Sequence, residues 1–360
     1  MLIKRLKTFT VNMIAGANIA TAIMMFLVGY SGHINPAHHL ILSSVGLAFP
    51  FFILLNMGFL LFWVVFRWKY ALISFIGFLV CFVPVRRYCP LNPSVEPPRD
   101  AIKVLSYNVW LFAGWDVHDG ERGPILEYLR ASDADIICLQ EAEMNEIDYR
   151  KVKEAMSHYA YSDTSLSKKG SDCLALYSRY PILKKEQIKY VSENNHSVAH
   201  YLKVNGDTVI VINNHLESVG LSSEVKEGFD EMVRGRENGV QRKRTSQLLI
   251  GQIGAAAGRR ASQAEAVANY VRNHRQYGII LCGDFNDSPI SYAYSTIAGT
   301  LTDCFVETGC GPGFSYHHNS MHVRIDHIMC SDNFTPYNCK VDSKIDASDH
   351  YPIYCWLKKK

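Results

Sequence analysis

From Thr8 to Phe66 the sequence has no Asp, Glu, Lys or Arg, and up to Arg99 it has a single acid, Glu96, against eight basic residues. A charge-free run of that length excludes an ordinary solvated surface for the segment, and it is too long for one membrane crossing of about 20 residues. No internal repeat and no low-complexity tract is present, and no Cys/His spacing suggests a structural zinc site. Hydrophobic residues make up 48% and charged residues 20%, which excludes wholesale disorder. The remaining 29 basic and 33 acidic residues lie in 100–360, a net of −4. A basic, apolar head therefore precedes a mildly acidic body, and two environments are implied.

Gly32-His33-Ile34-Asn35-Pro36 breaks the head where a turn is expected. The pattern predicts an all-helical, three-span membrane anchor in 1–88, with spans at about 9–30, 40–66 and 70–85. The third is short, rising only about 24 Å as a helix, and would borrow Trp68 and Tyr88 at the interfaces; a buried core helix or a re-entrant segment is its alternative. A cleaved signal peptide, with Lys4-Arg5-Lys7 as its charged region and Ala20-Thr21-Ala22 at the cleavage site, is the alternative. Two further apolar runs favour the anchor. Lys4, Arg5, Lys7, Arg67 and Lys69 fall on one side, while the 31–39 loop has neither Lys nor Arg. By the positive-inside rule the N-terminus is cytoplasmic. The expectation is a multi-pass inner or plasma membrane protein with its body extracytoplasmic, and Arg86 and Arg87 dissent. Pro90, Pro93, Pro97 and Pro98 mark 89–100 as an extended tether.

From Ala101 short β-rich runs alternate with turns and helices, which predicts one α+β domain with a large central sheet over 101–360. Strands are expected at 102–107, 135–140, 173–178, 198–204, 207–213, 278–283, 325–330 and 351–357, and helices at 121–131 and 261–274. Cys138, Cys282, Cys330 and Cys355 read as buried small hydrophobes, and Cys304 and Cys310 are placed for a local bridge. Residues 232–260 carry a local excess of basic charge. It reads either as a solvated helical face or as a basic lid for anionic headgroups or a polyphosphate.

Acidic and amide residues recur at the ends of those strands. Asn108 follows the first, Glu141 the second, Asn214 and His215 another, and Asp284 and Asn286 the next. Arg324-Ile325-Asp326 opens a strand, and Ser348-Asp349-His350 precedes the last. Strand ends gather at a sheet rim, so these clusters converge. Their oxygens suit a hard cation such as Mg²⁺, and two histidines backed by carboxylates can move protons. Any one residue alone reads as structural: Asn108 or Asn286 as a turn residue, His215 as a satisfied histidine. His317, His318 and His322 lie near Tyr316 and read as an entrance lining or a polar loop. His200 and His327 read as structural or as supports behind the site.

Ser106-Tyr107-Asn108, Leu139-Gln140-Glu141, Asn214-His215-Leu216-Glu217, Gly283-Asp284-Phe285-Asn286-Asp287, Arg324-Ile325-Asp326-His327 and Ser348-Asp349-His350 together resemble the ordered motif set of the endonuclease/exonuclease/phosphatase superfamily. The resemblance spans about 101–357 and implies a four-layered α/β sandwich of the deoxyribonuclease-like type. It implies that Asn108 and Glu141 bind Mg²⁺ (Mn²⁺ substituting), with Asp349 beside them. Asp326 would orient His350, which accepts a proton from the attacking water or holds the strained phosphate. Asp284 would position or deprotonate that water, so the base is one of the two. Asn286 would hold a phosphate oxygen, and His215 would donate to phosphoryl oxygen or leaving group. Asn214, Arg324 and Tyr316 would touch substrate. The expected function is a membrane-anchored, Mg²⁺-dependent phosphoester hydrolase acting at the bilayer on a phosphate-containing lipid or small molecule, on a phosphate, pyrophosphate or phosphodiester bond. A nuclease is the alternative, disfavoured because a duplex binder needs a broad basic surface. A non-catalytic binding module is a third reading, opposed by the full set of candidate catalytic residues.

Overall fold

The computed structural model of the chain describes residues 2–39, 45–113, 123–143, 146–170, 172–192, 194–236, 238–318 and 320–360. The start of the expected second span, 40–44, and the first residues of the expected 121–131 helix lie outside them. The head is helical: α1 (Leu2–Gly29), α2 (Phe49–Phe66), α3 (Ala71–Val80) and α4 (Phe82–Tyr88). Two helical stretches, Ile3–His33 and Val45–Phe66, are long and apolar enough to cross a membrane. The expected third span is not one straight helix, because α3 and α4 meet at a 70° bend. Pro84 has no N–H for the carbonyl four residues back, so the helix breaks there. The ten residues of α3 rise only about 15 Å, half a hydrocarbon core.

A buried polar cluster pins the head together. Asn18 Nδ2 donates to Asn56 Oδ1 (3.2 Å), while Trp63 Nε1 and Ser74 Oγ both donate to Asn18 Oδ1 (3.0 Å each). Between apolar helices such bonds supply the association that hydrophobicity cannot. The head also packs on the body. A Cβ on Gly32 would lie 2.3 Å from the Ile290 carbonyl oxygen, so only glycine permits that approach. Asn35 Nδ2 donates to Glu265 Oε1 (3.2 Å), and Arg86 makes a bidentate pair with Glu307 (3.1 and 2.9 Å).

In the body β1 (Ile102–Asn108) lies parallel to β2 (Ile136–Gln140), with Asn108 opposite Gln140. After α5 (Pro124–Ala131) and α6 (Glu146–Ala155) come β3 (Tyr161–Leu166), β4 (Cys173–Ser178), β5 (Ile182–Gln187), β6 (Ser197–Val204) and β7 (Asp207–His215). A helical hairpin, α7 (Ser223–Val233) and α8 (Gly239–Asn273), leads to β8 (Gly278–Asp284), α9 (Tyr292–Ala298), β9 (Thr302–Asp303) and α10 (Cys304–Thr308). The chain ends on β10 (Asp326–Cys330), β11 (Phe334–Val341) and β12 (Ile353–Lys359).

The single central sheet expected from the strands is two. Among the described residues they form six-stranded sheets of order β11-β12-β1-β2-β4-β3 and β5-β6-β7-β8-β10-β9. The central strands are apolar on both faces because each sheet packs the other on one side and helices on the other. Val104, Cys138, Val211, Cys282 and Cys355 fill the space between sheets. Ile125 and Leu129 of α5 and Val152 of α6 cover the first sheet, and Ala264, Val267 and Ala293 cover the second. The result is the four-layered sandwich. Cys304 is buried and Cys310 exposed, and both are free, so the expected bridge is absent.

Candidate active site

Register assembles the site. In the second sheet His215 of β7 lies opposite Asp284 of β8, which lies opposite Asp326 of β10, so three functional side chains form one row across three strand ends. The first sheet brings Asn108 to the end of β1 and Glu141 just past β2. Asn213, buried between the layers, ties the two rims: it accepts from Gln140 Nε2 (2.7 Å) and donates to the Leu139 carbonyl (3.0 Å). Gly283 sits at φ 135° with the Asn214 carbonyl oxygen 1.9 Å from where a Cβ would be, so no other residue lets β8 reach this position. Glu141 and Asn286 both adopt left-handed backbone (φ 51°), a conformation uncommon for side-chain-bearing residues and concentrated at functional sites.

Asp284 Oδ2 is the hub. Asn108 Nδ2 and Asn286 Nδ2 each donate to it at 3.2 Å, while His215 Nε2 and His350 Nε2 face it at 3.7 and 3.8 Å. Each histidine is backed by its own carboxylate. His350 Nδ1–H donates to Asp326 Oδ2 (2.8 Å), and His215 Nδ1–H donates to Asp172 Oδ1 (3.0 Å). Two Asp–His pairs therefore flank one carboxylate, all of them buried.

Burial opposes charge on both imidazoles, but the surrounding carboxylates outweigh it. Asp172, Asp284 and Glu141 push His215 up to about 10, and Asp326 and Asp284 push His350 up to about 10. Burial, with the like charge of Asp326, pushes Asp284 up to about 6 against the pull of the two histidines. Asp172 is buried too, yet the cationic His215 holds it below the usual carboxylate range. The histidine coupling is fully present below the unfolded value of about 6.5 and is lost as pH climbs through the folded value. In metal-free protein at pH 8, ¹⁵N NMR should therefore show both rings doubly protonated. Neutral tautomers at that pH would contradict the two pairings.

The donor chemistry fits a hard divalent cation. Asn108 Nδ2 bridges Glu141 Oε1 (3.0 Å) and Asp284 Oδ2 (3.2 Å), which gathers two carboxylates around one amide. Glu141 and Asp349 line the same cleft, about 330 Å³, with Tyr316 and Asn286. His215 Nε2 is buried without a hydrogen-bond partner, 3.9 Å from Glu141 Oε1, and so aims a donor into the space between the acids. Asp284, Asp326 and His350 also offer ligand atoms within 4.8 Å of one another. There Asp326 Oδ2 and His350 Nδ1 are engaged with each other (2.8 Å) while Asp326 Oδ1 is buried without a partner, so this group stands beside Glu141, Asn108 and Asp349 as a second set of candidate cation donors.

Tyr316 reaches the cleft and lays its ring edge-on against His350 (5.1 Å). Asn286 reaches it as well, but its amide is spent on Asp284 and the Leu216 carbonyl, so it holds the hub carboxylate. Two expected substrate contacts are corrected. Asn214 points into the sheet packing, where it accepts from Ser197 Oγ. Arg324 is buried away from the cleft, donating to the carbonyls of Pro312 and Arg87 with its guanidinium over Phe305 (4.4 Å). It ties the head to the body. Arg324→Ala should lower stability by about 3 kcal/mol, on the scale of two buried charge-assisted bonds, with KM unchanged. A shifted KM without a shifted thermal melt would restore it to the site.

His317, His318 and His322 do not line the cleft, and His317 stacks on Tyr351 instead (3.7 Å). His200 pairs with Asp163 (2.9 Å), and His327 sits between Phe285 and Tyr294. Most of the basic stretch of 232–260 lies on α8, and Arg234, Arg236, Arg244, Arg259 and Arg260 each have a carboxylate partner. The solvated-face reading accounts for most of that charge. Arg260 is the exception: it is buried, pairs with Asp287 (3.1 Å) and lines the cleft. Asp172 escaped notice in the sequence, although it directly precedes a strand just as Ser348-Asp349-His350 does.

A family model described as Endonuclease/Exonuclease/phosphatase family matches residues 105–350, more than half of the chain. A second, described as a domain of unknown function, matches residues 11–88. No curated protein matches in sequence. Among solved structures, the chain is similar to an endonuclease/exonuclease/phosphatase family protein from Bacteroides thetaiotaomicron, at 18% identity over 73% of this chain and 98% of that one, TM-score 0.51. It is also similar to the human Nocturnin catalytic domain with bound sulfate anion (17% identity, 74% and 97% covered, TM-score 0.52). A third is D. rerio TDP2 complexed with single strand DNA product (15% identity, 72% and 100% covered, TM-score 0.50). At such identities the likeness establishes the fold.

Proposed function

The chain belongs to the endonuclease/exonuclease/phosphatase family, and from that premise we propose that it is a membrane-anchored, divalent-metal-dependent hydrolase of a phosphate-bearing substrate, lipid-linked or small. The observation that carries this reading is the pair of Asp–His units converging on Asp284 beside Glu141. Glu141, with Asn108 and Asp349, would hold Mg²⁺ or Mn²⁺, which when bound supplies Lewis-acid polarisation of a phosphoryl oxygen. Asp284 takes the proton of the attacking water as the new P–O bond forms, its carboxyl raised to about 6 and so a carboxylate at neutral pH. His350, fixed by Asp326, donates to a non-bridging oxygen where charge develops. His215, fixed by Asp172, gives the departing oxygen a proton as the old P–O bond breaks. Tyr316 packs the His350 ring and bounds the phosphate position.

Membrane attachment rests on the two long apolar helices. Arg86 and Arg87, which opposed an outer body by charge, are committed to it: Arg86 to Glu307 and Arg87 to Ser295 (3.3 Å). We infer that the bent α3–α4 pair completes a third crossing: with the N-terminus cytoplasmic by the positive-inside rule, three crossings put the body outside, whereas two would return it to the cytoplasm. A membrane-impermeant cysteine reagent should label Cys310, which is exposed, in intact cells stripped of any outer envelope. Labelling only after lysis would reverse the topology.

Purified full-length protein should be assayed with Mg²⁺ against lipid phosphates, lipid diphosphates, sphingomyelin and DNA side by side. Turnover of a lipid or small phosphate ester that stops with chelator is expected. Preferential DNA cleavage would replace this reading with the nuclease.

A further inference from the structure

The cleft that holds the catalytic groups is not bounded by the body alone. Leu47, half exposed at the head of α2, forms part of its wall, with Trp110, Leu221, Ile253, Met321 and Val323. Glu141, Asp284 and His350 line the same cleft. One loop links hub and head: Asp284 and Asn286 belong to the hub, and Ile290 a few residues on packs in the head's own core with Met25, Val28 and Phe49. The cleft therefore opens at the junction of helical head and body.

Helix α8 grades from polar to apolar along one stripe. Arg260, Ala257, Ile253 and Ile250 follow one another at helical spacing. Arg260 is buried beside Asp287 at the catalytic end, Ile253 lines the cleft, and Ile250 is 44% exposed beyond it. Lys226 of α7 lines the same cleft, and among the described residues Arg242 and Lys243 farther up α8 have no carboxylate partner. The acids of the cleft, Glu141, Asp284, Asp287 and Asp349, suit the cation of the hydrolase reading, Lys226 and His350 offer donors to a phosphate beside it, and an apolar chain is favoured on the path leading out.

We propose that the substrate is an amphiphile whose phosphate or diphosphate head sits at Asp284 and His350, and whose hydrocarbon chain leaves between Leu47 of the head and Ile253 of α8 into the bilayer. The membrane anchor is thus one wall of the substrate site and sets chain selectivity. This rests on the hydrolase reading above and narrows it to bilayer-resident substrates entering sideways.

The test uses full-length protein in nanodiscs with Mg²⁺ and three homologous series, alkyl phosphates, alkyl diphosphates and alkyl 4-nitrophenyl phosphates, each from methyl to dodecyl. Partitioning into the disc favours long chains equally for every variant, so the long-to-short ratio of kcat/KM relative to wild type reports on the groove. Leu47→Glu and Ile253→Glu should each lower that ratio at least about tenfold, on the scale of two buried methylenes. Val240→Glu, at an 82% exposed position, should leave it unchanged. A dodecyl phosphate carrying a terminal diazirine should label wild-type peptides containing Leu47 and Ile253, which keeps the test independent of how the Glu variants fold. Turnover with an unchanged ratio, or label found elsewhere, would overturn the lateral path while the hydrolase stands. No hydrolysis of any member with Mg²⁺ or Mn²⁺ would overturn both.

Discussion

Glu141→Ala should be folded and inactive, with kcat/KM down about 10³-fold or more at any practical Mg²⁺ concentration. Glu141 is half-buried in the cleft, tied to Asn108 (3.0 Å) and held in a left-handed backbone. Replacing it leaves Asn108 and Asp349 as cation donors and removes one of the two carboxylates gathered by the Asn108 amide. Folding should be preserved because Glu141 is only half-buried, and Ala at a φ of 51° keeps the same Cβ in the same backbone without adding strain. The measurement pairs kcat/KM with Mg²⁺ affinity by calorimetry and a thermal melt. Near-wild-type turnover would move the cation away from Glu141 and leave the buried Asp284, Asp326 and His350 group as the alternative.

The second large effect is a pattern of non-additivity. Asp326→Ala and His350→Ala should each cost about 10²–10⁴ in kcat/KM, and the double variant little more than the worse single one, because residues acting as a unit do not add. Their 2.8 Å bond, buried on both sides, is the reason. The same relation should hold for Asp172 and His215, joined at 3.0 Å. Across the pairs the losses should compound, so His215→Ala with His350→Ala should fall toward the metal-only background. Multiplicative losses within either pair would mean that the carboxylate and its imidazole do not share one task.

The parts legible in the sequence were those where one physical signal dominates. The central strands β1, β2, β7 and β8 are buried on both faces and read as unbroken apolar runs. The edge strands were missed for the complementary reason. Tyr161–Leu166 is polar and largely exposed, Ile182–Gln187 carries Lys184 and Lys185, and β11 contains Pro336, devices that keep an edge from pairing further. The length of α8 was underestimated because its first half projects from the body with little apolar periodicity to read.

The site was legible as residue types at strand ends, because cross-strand register turns those ends into a row. Arg324 does not join the row because it precedes β10 (Asp326–Cys330) rather than belonging to it, and there its guanidinium meets Pro312, Arg87 and Phe305. Asn214 alternates away from the rim within β7, with Asn213 and His215 on the opposite face on either side of it. Leu47 could not be assigned a role at all, since its place in the cleft depends on how the head docks on the body.

Isotope transfer from water tests the central reading most directly. With the best substrate of the panel, Mg²⁺-loaded full-length protein in H₂¹⁸O should place one ¹⁸O per turnover in the phosphoryl product and none in the leaving alcohol or phosphate. Incorporation should disappear with chelator and in Asp284→Asn. Label in the leaving group, or incorporation that survives in Asp284→Asn with the metal removed, would contradict attack of water at phosphorus in this cleft.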